Sequence, residues 1–194
     1  MLRKASSFIA VLAVLTAGAY VYAQRLSRLD SWELEFSSKP PRVVELRDNS
    51  RIEPYTYIVY EVSNTTEGTV DFYPIFQIET PDGEVATSSL QPHVYAKVTG
   101  ESVPEILPFK EIVGPLEPGE TKRGVAVFRG VDPAADLLTV YVSGLTGDFV
   151  TRKTEEGAIK VLYRTYRLLY HRPGDAYLAS IDPVTLVSSE WVWH

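Results

Sequence analysis

Tyrosines and arginines alternate in one segment near the C-terminus of the chain. The segment carries Tyr163, Arg164, Tyr166, Arg167, Tyr170 and Arg172. Aromatic faces and guanidinium groups together stack on bases, sugars or anionic polymers, which gives the segment a functional interpretation. A structural interpretation stands beside it, in which the tyrosines pack on the core and the arginines lie along a solvated face. The acidic composition of the chain favours the structural interpretation.

Two tryptophans lie two positions apart at the C-terminal end. Because alternate residues of a strand share a face, Trp191 and Trp193 project together if residues 184–193 form a strand. Paired aromatic rings on one sheet face can form a platform for sugars, whereas the nearby Leu186 favours burial in the core. The candidate ligand or partner surface comprises Trp191, Trp193, Tyr163, Arg164, Tyr166 and Arg167.

The sequence shows no catalytic or metal-binding spacing. His93, His171 and His194 have neither the H-x-x-x-H nor the H-E-x-x-H spacing of zinc sites. No serine lies in a G-x-S-x-G elbow, and no glycine-rich loop is suited to a phosphate. Cysteine is absent and Met1 is the only methionine, so sulfur ligands for copper, haem or iron–sulfur clusters are lacking. We therefore expect no enzyme activity, no metal and no cofactor.

The first 23 residues have the pattern of a secretory signal peptide. Arg3 and Lys4 precede the apolar run 8–19, and the small residues Val21 and Ala23 form a cleavage pattern ahead of Gln24. The alternative is an uncleaved membrane anchor, but residues 8–23 give only about 24 Å of helix against a hydrocarbon core of about 30 Å. We expect residues 1–23 to be removed, residues 24–31 to act as a tether, and the protein to be exported to the periplasm, the cell envelope or the medium.

The charge of the chain argues against one class of partner. The 194 residues include 19 basic and 25 acidic side chains, and loss of residues 1–23 leaves 17 basic side chains and a net charge of −8. An acidic surface repels the phosphate backbone, so nucleic-acid binding is not expected. Without cysteine there is no disulfide framework, and the fold must rest on its hydrophobic core.

Strand and turn signals recur through the rest of the chain and predict an all-β domain. Residues 55–62 are aromatic and β-branched on both faces, which predicts a central strand. Residues 71–80 predict another strand with Pro74 at an edge or bulge, and Asp82-Gly83 predicts a hairpin turn. The apolar residues of the proline-rich connection 91–120 indicate that it packs against the domain.

Two further segments leave the type of element open. Residues 158–172 fit both a helix and a strand, and the tyrosine content and the flanking turns favour a long hairpin with residues 184–193. Asp132-Pro133 has the form of a helix N-cap followed by proline, which predicts one helical turn through Asp136.

The order of strands and turns resembles a known class of domain. A strand over residues 55–62, the Ser63-Asn64-Thr65 turn, the sequence LEPGETKRGVAVF and the strand LLTVYVSGL follow one another. This series is similar to the immunoglobulin-like sandwich domains of bacterial exported proteins. The resemblance covers about half of the chain after residue 23 and implies an antiparallel β-sandwich, and most such domains are not catalytic. We expect the sandwich to occupy residues 32–194, with an additional C-terminal hairpin that is not part of the resemblance.

These observations together predict an exported, non-catalytic binding or scaffold module. Its partner would be a protein or a polysaccharide of the cell envelope. The alternative is a structural subunit that residues 8–23 hold in the membrane. The sequence does not identify the ligand.

Overall fold

The computed structural model describes residues 32–48, 51–100, 106–172 and 184–194, and these residues fold mainly as antiparallel strands. The strands are β1 (Glu35–Ser38), β2 (Arg42–Asp48), β3 (Arg51–Ser63), β4 (Val70–Phe72), β5 (Ile75–Glu79), β6 (Val85–Thr87), β7 (Gly114–Leu116), β8 (Thr121–Arg129), β9 (Leu137–Ser143), β10 (Phe149–Lys153), β11 (Ile159–His171) and β12 (Thr185–Trp193). Two helices are present in this part of the chain, α1 (Pro92–Gly100) and α2 (Phe109–Ile112). The prediction of an all-β chain is confirmed.

The predictions for the N-terminal segment are not tested by the structure. The signal peptide 1–23 and the tether 24–31 fall outside the described residues. Among the residues that the structure describes, no helix is long and apolar enough to cross a membrane.

The first sheet is built around β3. One edge of β3 pairs with β1 at residues 60–63 and with β2 at residues 51–57, while the other edge pairs with β8 at residues 55–63. Ile58, Tyr60 and Val62 are buried on one face, and Tyr55 is buried on the other. The predicted central strand is confirmed.

The second sheet has the order β10-β11-β9-β5-β6, and β12 pairs with the other edge of β11. Residues 159–163 of β11 pair with β10, and residues 164–171 pair with β12. Of these, residues 166–171 also pair with β9 on the opposite edge of β11. Residues 159–171 are thus a single strand rather than a helix, and the favoured hairpin with the C-terminal strand is present.

Pro74 divides the strand that was predicted over residues 71–80. β4 pairs with β7 in a two-stranded sheet, whereas β5 belongs to the second sheet. Proline has no amide hydrogen to donate to a ladder, so the chain changes sheets where Pro74 interrupts the pairing. Phe72 and Phe76, on either side of this break, are both buried in the core.

The two main sheets pack face to face over a shared hydrophobic core, which gives a sandwich-like fold. The core residues of the first sheet include Ile58, Val62, Ala126 and Phe128, and those of the second include Phe76, Ile78, Val140, Val142 and Leu168. Their alternation along each strand explains why strand patterns in the sequence predicted the elements so well.

The predicted turns are present, with one difference. Gly83 (φ 85°) closes the β5–β6 hairpin, and Gly119 (φ 78°) follows Pro118 in a turn that the Glu120 amide closes on the Glu117 carbonyl at 2.9 Å. The Asp132 carboxylate accepts a hydrogen bond from the Ala134 amide at 2.8 Å, as expected of a helix cap. The residues that follow form a short non-helical turn, so the predicted turn of helix is absent.

The connection between β6 and β7 contains both helices. Pro92 begins α1, where a missing amide hydrogen costs nothing, and Val94 and Val98 share the buried face of this helix. The Ser89 amide donates to the Val127 carbonyl and the Leu107 amide to the Arg123 carbonyl, both at 2.9 Å. These two hydrogen bonds fix the connection along the edge of β8 that β3 leaves free.

Candidate functional site

The six candidate residues of the C-terminal region do not form one surface. Residues that pair directly across two strands share a face, and Tyr166 pairs with Trp191 while Arg164 pairs with Trp193. These four residues lie on the face of the second sheet that meets the core. Tyr163 and Arg167 alternate with them on β11 and lie on the opposite face.

Arg164 is engaged in structural contacts. Its Nη1 donates to Glu33 at 2.7 Å and to Asp148 at 3.3 Å, and its guanidinium lies 4.4 Å from the centre of the Trp191 ring. Two carboxylates and an aromatic face already hold this cation. We therefore assign Arg164 to the attachment of residues 32–34 and not to a ligand.

Trp191 and Trp193 share a face, as predicted, but differ in burial. Trp191 is half-buried, packs against the main core and lies 5.0 Å from the Tyr166 ring. Trp193, at the end of the strand, is 42% exposed. The pair therefore has one supporting ring and one accessible ring.

Arg167 belongs to a polar network on the outer face of the second sheet. Its guanidinium forms an ion pair with Glu190, and this hydrogen bond raises the pKa of Arg167. Burial, followed by hydrogen bonding to Glu79, raises the pKa of the neighbouring Tyr141. The ring of His194 stacks on Tyr141 with 4.2 Å between ring centroids.

Arg172 corrects the structural interpretation of the arginines. That interpretation placed the arginines along a solvated face, yet Arg172 is 1% exposed. Its Nη1 donates to the Pro133 carbonyl at 3.0 Å, while Nη2 has no partner. Burial lowers the pKa of Arg172, and the nearby Asp132 partly opposes that shift. The expectation that all tyrosines pack on the core is likewise wrong for Tyr163, which is exposed.

An exposed apolar surface lies on the hairpin of β10 and β11. Phe149 pairs with Tyr163, and the pattern of alternation puts Val161 and Ile159 on the same face. These four side chains, which we call the hairpin strip, are 43–75% exposed. Sequence reasoning identified Tyr163 alone, although the alternation of Ile159, Val161 and Tyr163 was a visible signal.

A second apolar surface is a cavity of about 400 Å³, which we call the edge pocket. It lies along the free edge of β8, beneath the connection that carries α1 and α2. Its apolar and aromatic walls include Phe76, Tyr95, Leu107, Phe109, Ile112, Ala126 and Val127. Sequence reasoning missed this pocket.

Tyr60 supplies a hydroxyl group to the edge pocket. A Cβ atom at Gly124 would lie 2.6 Å from Cζ and Oη of Tyr60, so the absence of a side chain at Gly124 lets the Tyr60 ring cross β8. The tyrosine is 4% exposed, and burial raises its pKa. No described residue forms a hydrogen bond with the Tyr60 hydroxyl. The hydroxyl oxygen keeps some accessible surface, which faces the pocket.

The backbone of Val125 supplies two more polar groups. The carbonyls of Arg123 and Val127 face away from β3 and accept hydrogen bonds from the connection. Alternate residues of a strand direct their backbone groups to the same edge, so N–H and C=O of Val125 also face the pocket. Within the described residues, no backbone group outside the β3–β8 ladder pairs with them.

Charge and access are uneven around the edge pocket. Among the described residues, Lys110 is the one charged residue of the pocket lining. The side chains of Leu90 and Phe109, which also line the pocket, are exposed. A concave apolar site with a few convergent polar groups is the usual architecture of a small-ligand site.

The remaining chemical features have local explanations. His93 packs edge-on against Tyr55, at 5.3 Å between ring centroids. Among the residues that the structure describes, no group of three or more histidine, aspartate and glutamate side chains is arranged to hold a metal ion. Asn64, in an N-x-T sequence, is buried, and its amide nitrogen donates to the Gly68 and Leu116 carbonyls at 2.8 Å.

Comparison of the chain with family models, with curated proteins and with solved structures gives no match in any of the three. The two apolar surfaces are therefore the features of the molecule that bear on its function.

Proposed function

We propose that residues 32–194 form an immunoglobulin-like β-sandwich domain that acts as a non-catalytic binding or scaffold module of the cell envelope. Two antiparallel sheets on a shared core support the sandwich, and the order of strands and turns supports the immunoglobulin-like assignment. The signal-peptide pattern of residues 1–23 supports export.

The hairpin strip is the observation that carries the binding role. Four apolar side chains stand together in solvent on one face of a hairpin, and contiguous exposed apolar surface marks interaction sites. The Phe149 and Tyr163 rings are tilted by 53° at 6.4 Å, so they do not form a flat platform for a sugar. This geometry favours a protein partner, and a polysaccharide is the alternative that the exposed Trp193 supports.

The titratable groups support a non-catalytic role. The shifted pKa values among the described residues belong to tyrosines, to arginines and to Asp82, whose pKa is lowered by the Thr80 hydroxyl within the β5–β6 turn. General acids and bases usually show shifted pKa values inside a cleft. Asp82 lies in an exposed turn and not in a cleft, so its shift has a structural explanation, and the hairpin strip supports a binding role.

Site-specific crosslinking tests the proposal. Thr151 lies on the strip face because it pairs with Val161, whereas the neighbouring Arg152 pairs with Lys160 on the opposite face. We expect a benzoylphenylalanine at position 151 to capture a discrete envelope protein in the native host and the same probe at 152 to capture none. Equal adducts from both positions, or none from either, would reject the strip as the binding surface.

A membrane-anchored structural subunit is the alternative function. It requires that residues 8–23 stay on the mature protein. Intact mass of the protein isolated from its native host separates the two cases, because we expect a first residue of Gln24. A mass that includes Arg3 and Lys4 would support the anchored subunit instead.

A further inference from the structure

We infer that the edge pocket binds a small amphipathic carboxylate, with the apolar body against the walls and the carboxylate at the edge of β8. This inference concerns a different surface from the hairpin strip. It goes beyond the proposed function because it assigns a small ligand and its chemical class.

The walls determine the body of the ligand. The pocket volume of about 400 Å³ lies within the usual range for small-molecule sites, which is roughly 300–1,000 Å³. Burial of aliphatic or aromatic surface against Phe76, Ile112 and Tyr95 supplies the favourable free energy. A purely polar ligand would gain nothing from these walls.

The polar groups determine the head of the ligand. The Tyr60 hydroxyl, the Val125 amide and the Lys110 ammonium are donors at this edge of the pocket. The other polar side chains of the lining, those of Ser88, Ser89 and Gln91, are neutral and can donate as well as accept. A carboxylate offers about four lone-pair sites and accepts from several donors at once. Lys110 adds charge complementarity, since the lining residues that the structure describes include no acidic side chain.

The edge of β8 excludes a peptide strand as the occupant. The amides of Ser89 and Leu107 already bond to the carbonyls on either side of Val125. Within the described residues, Val125 is therefore the one residue between them on this edge whose amide and carbonyl are both open. The two occupied carbonyls are about 13 Å apart along the strand. Strand addition needs several consecutive open residues, whereas a single head group fits one.

Ligand titration of the purified full chain tests this inference. Decanoate, decanol and decyltrimethylammonium share an alkyl chain and differ in the head group. We expect decanoate to bind about tenfold more tightly than decanol and the cation to bind most weakly, because hydrogen bonds to a charged group are the stronger ones. In NMR spectra the Val125 amide resonance should shift on addition of decanoate.

Three variants locate the binding groups. Tyr60→Phe removes one donor and should weaken decanoate binding about tenfold. Lys110→Gln should weaken decanoate binding about two- to fivefold and leave decanol binding unchanged, since the lysine is exposed. Lys160→Gln, which removes a lysine of the distant hairpin, is the matched control and should change neither affinity. Thermal melts confirm that each variant is folded.

Several outcomes would overturn the inference. Equal affinity for decanoate and decanol, or tight binding of the cation, would exclude a carboxylate site. Decanoate affinity that both Tyr60→Phe and Lys110→Gln leave unchanged would place the ligand elsewhere, as would a Val125 resonance that does not move. None of these outcomes affects crosslinking from position 151, so the two proposals fail separately.

Discussion

The edge pocket and the hairpin strip are both apolar, yet they are built in opposite ways. In the pocket, side chains from β3, β5, β8 and the connection converge on a concave space, and the described residues offer no partner to the Tyr60 hydroxyl or to the outward backbone groups of Val125. In the strip, alternate residues of two paired strands stand in solvent, and the ladder pairs the backbone groups that face each other between these strands. The pocket can therefore select a ligand by its head group, whereas the strip can select only by shape and apolar area.

The two surfaces also differ in how they depend on the fold. Filling the pocket or moving its walls disturbs the core, because Tyr60, Phe76 and Ile112 are core residues. The strip projects beyond the core, and its side chains support nothing beneath them. Substitutions should thus separate the two surfaces by their effect on stability as well as on binding.

The largest effect on stability is expected at Trp191, which supports the C-terminal hairpin. Trp191→Ala should lower the free energy of unfolding by about 3 kcal/mol, because it removes a half-buried ring that packs on Tyr166 and lies beneath Arg164. Trp193→Ala should cost less than about 1 kcal/mol because that ring is largely accessible. Denaturant melts of the two variants measure this, and equal losses would show that both rings support the core.

The next largest loss of stability is expected at Gly124, which lies against the Tyr60 ring in the pocket wall. Gly124→Ala should destabilise by about 2 kcal/mol, since its Cβ would meet the Tyr60 ring at 2.6 Å and Ile112 at 3.0 Å. The matched control is Gly68→Ala, where a Cβ meets no atom within 4 Å. A melt in which the Gly124 variant is as stable as the control would show that Tyr60 does not cross β8 at this position.

A smaller, pH-dependent effect is expected from Tyr60. Burial raises the pKa of Tyr60, so above a pH of about 10 the tyrosine ionises in the unfolded chain but keeps its proton in the folded one. The free energy of unfolding is therefore highest below pH 10 and falls as the pH rises above that value. Tyr60→Phe should lie within about 1 kcal/mol of the parent at pH 7 and lose less stability above pH 10. Urea melts at both pH values measure this, with Tyr163→Phe as the exposed control.

The smallest effect on stability is expected at the strip. Val161→Glu and Phe149→Glu should each change the free energy of unfolding by less than about 0.5 kcal/mol, because both positions are exposed. The same substitutions should abolish crosslinking from position 151. A large loss of stability would mean that the hairpin packs on part of the domain, and the strip would then not be a free surface.

The sequence predicted the strands and turns because their signals are local. Alternation identified residues 55–62 as a strand, and glycine after Asp82 or Pro118 identified two turns. The helix α1 was missed because the prolines around it indicated an irregular connection, although Pro92 is an ordinary first residue of a helix. Local signals therefore predicted most of the fold.

The candidate site was harder to predict because its signals are not local. Tyr60, Lys110 and the backbone of Val125 come from three separate elements, and a backbone amide has no signature in the sequence at all. Arg172 was placed on a solvated face because arginines usually lie there, and nothing in the sequence shows that carbonyls of residues 132 and 133 enclose it. For the strip, alternation in the sequence indicates which residues share a face but not which of the two faces is exposed.

The contacts of residues 33–38 with residues far along the chain affect the order in which the domain can fold during synthesis. The Leu34 amide bonds to the Leu145 carbonyl, Glu33 pairs with Arg164, and the Ser38 hydroxyl lies 2.9 Å from that of Tyr170. A ribosome adds about 5–20 residues per second, so β1 waits on the order of ten seconds for these partners. During that interval the second sheet cannot close on β1, which has its neighbour β3 to pair with from early in synthesis.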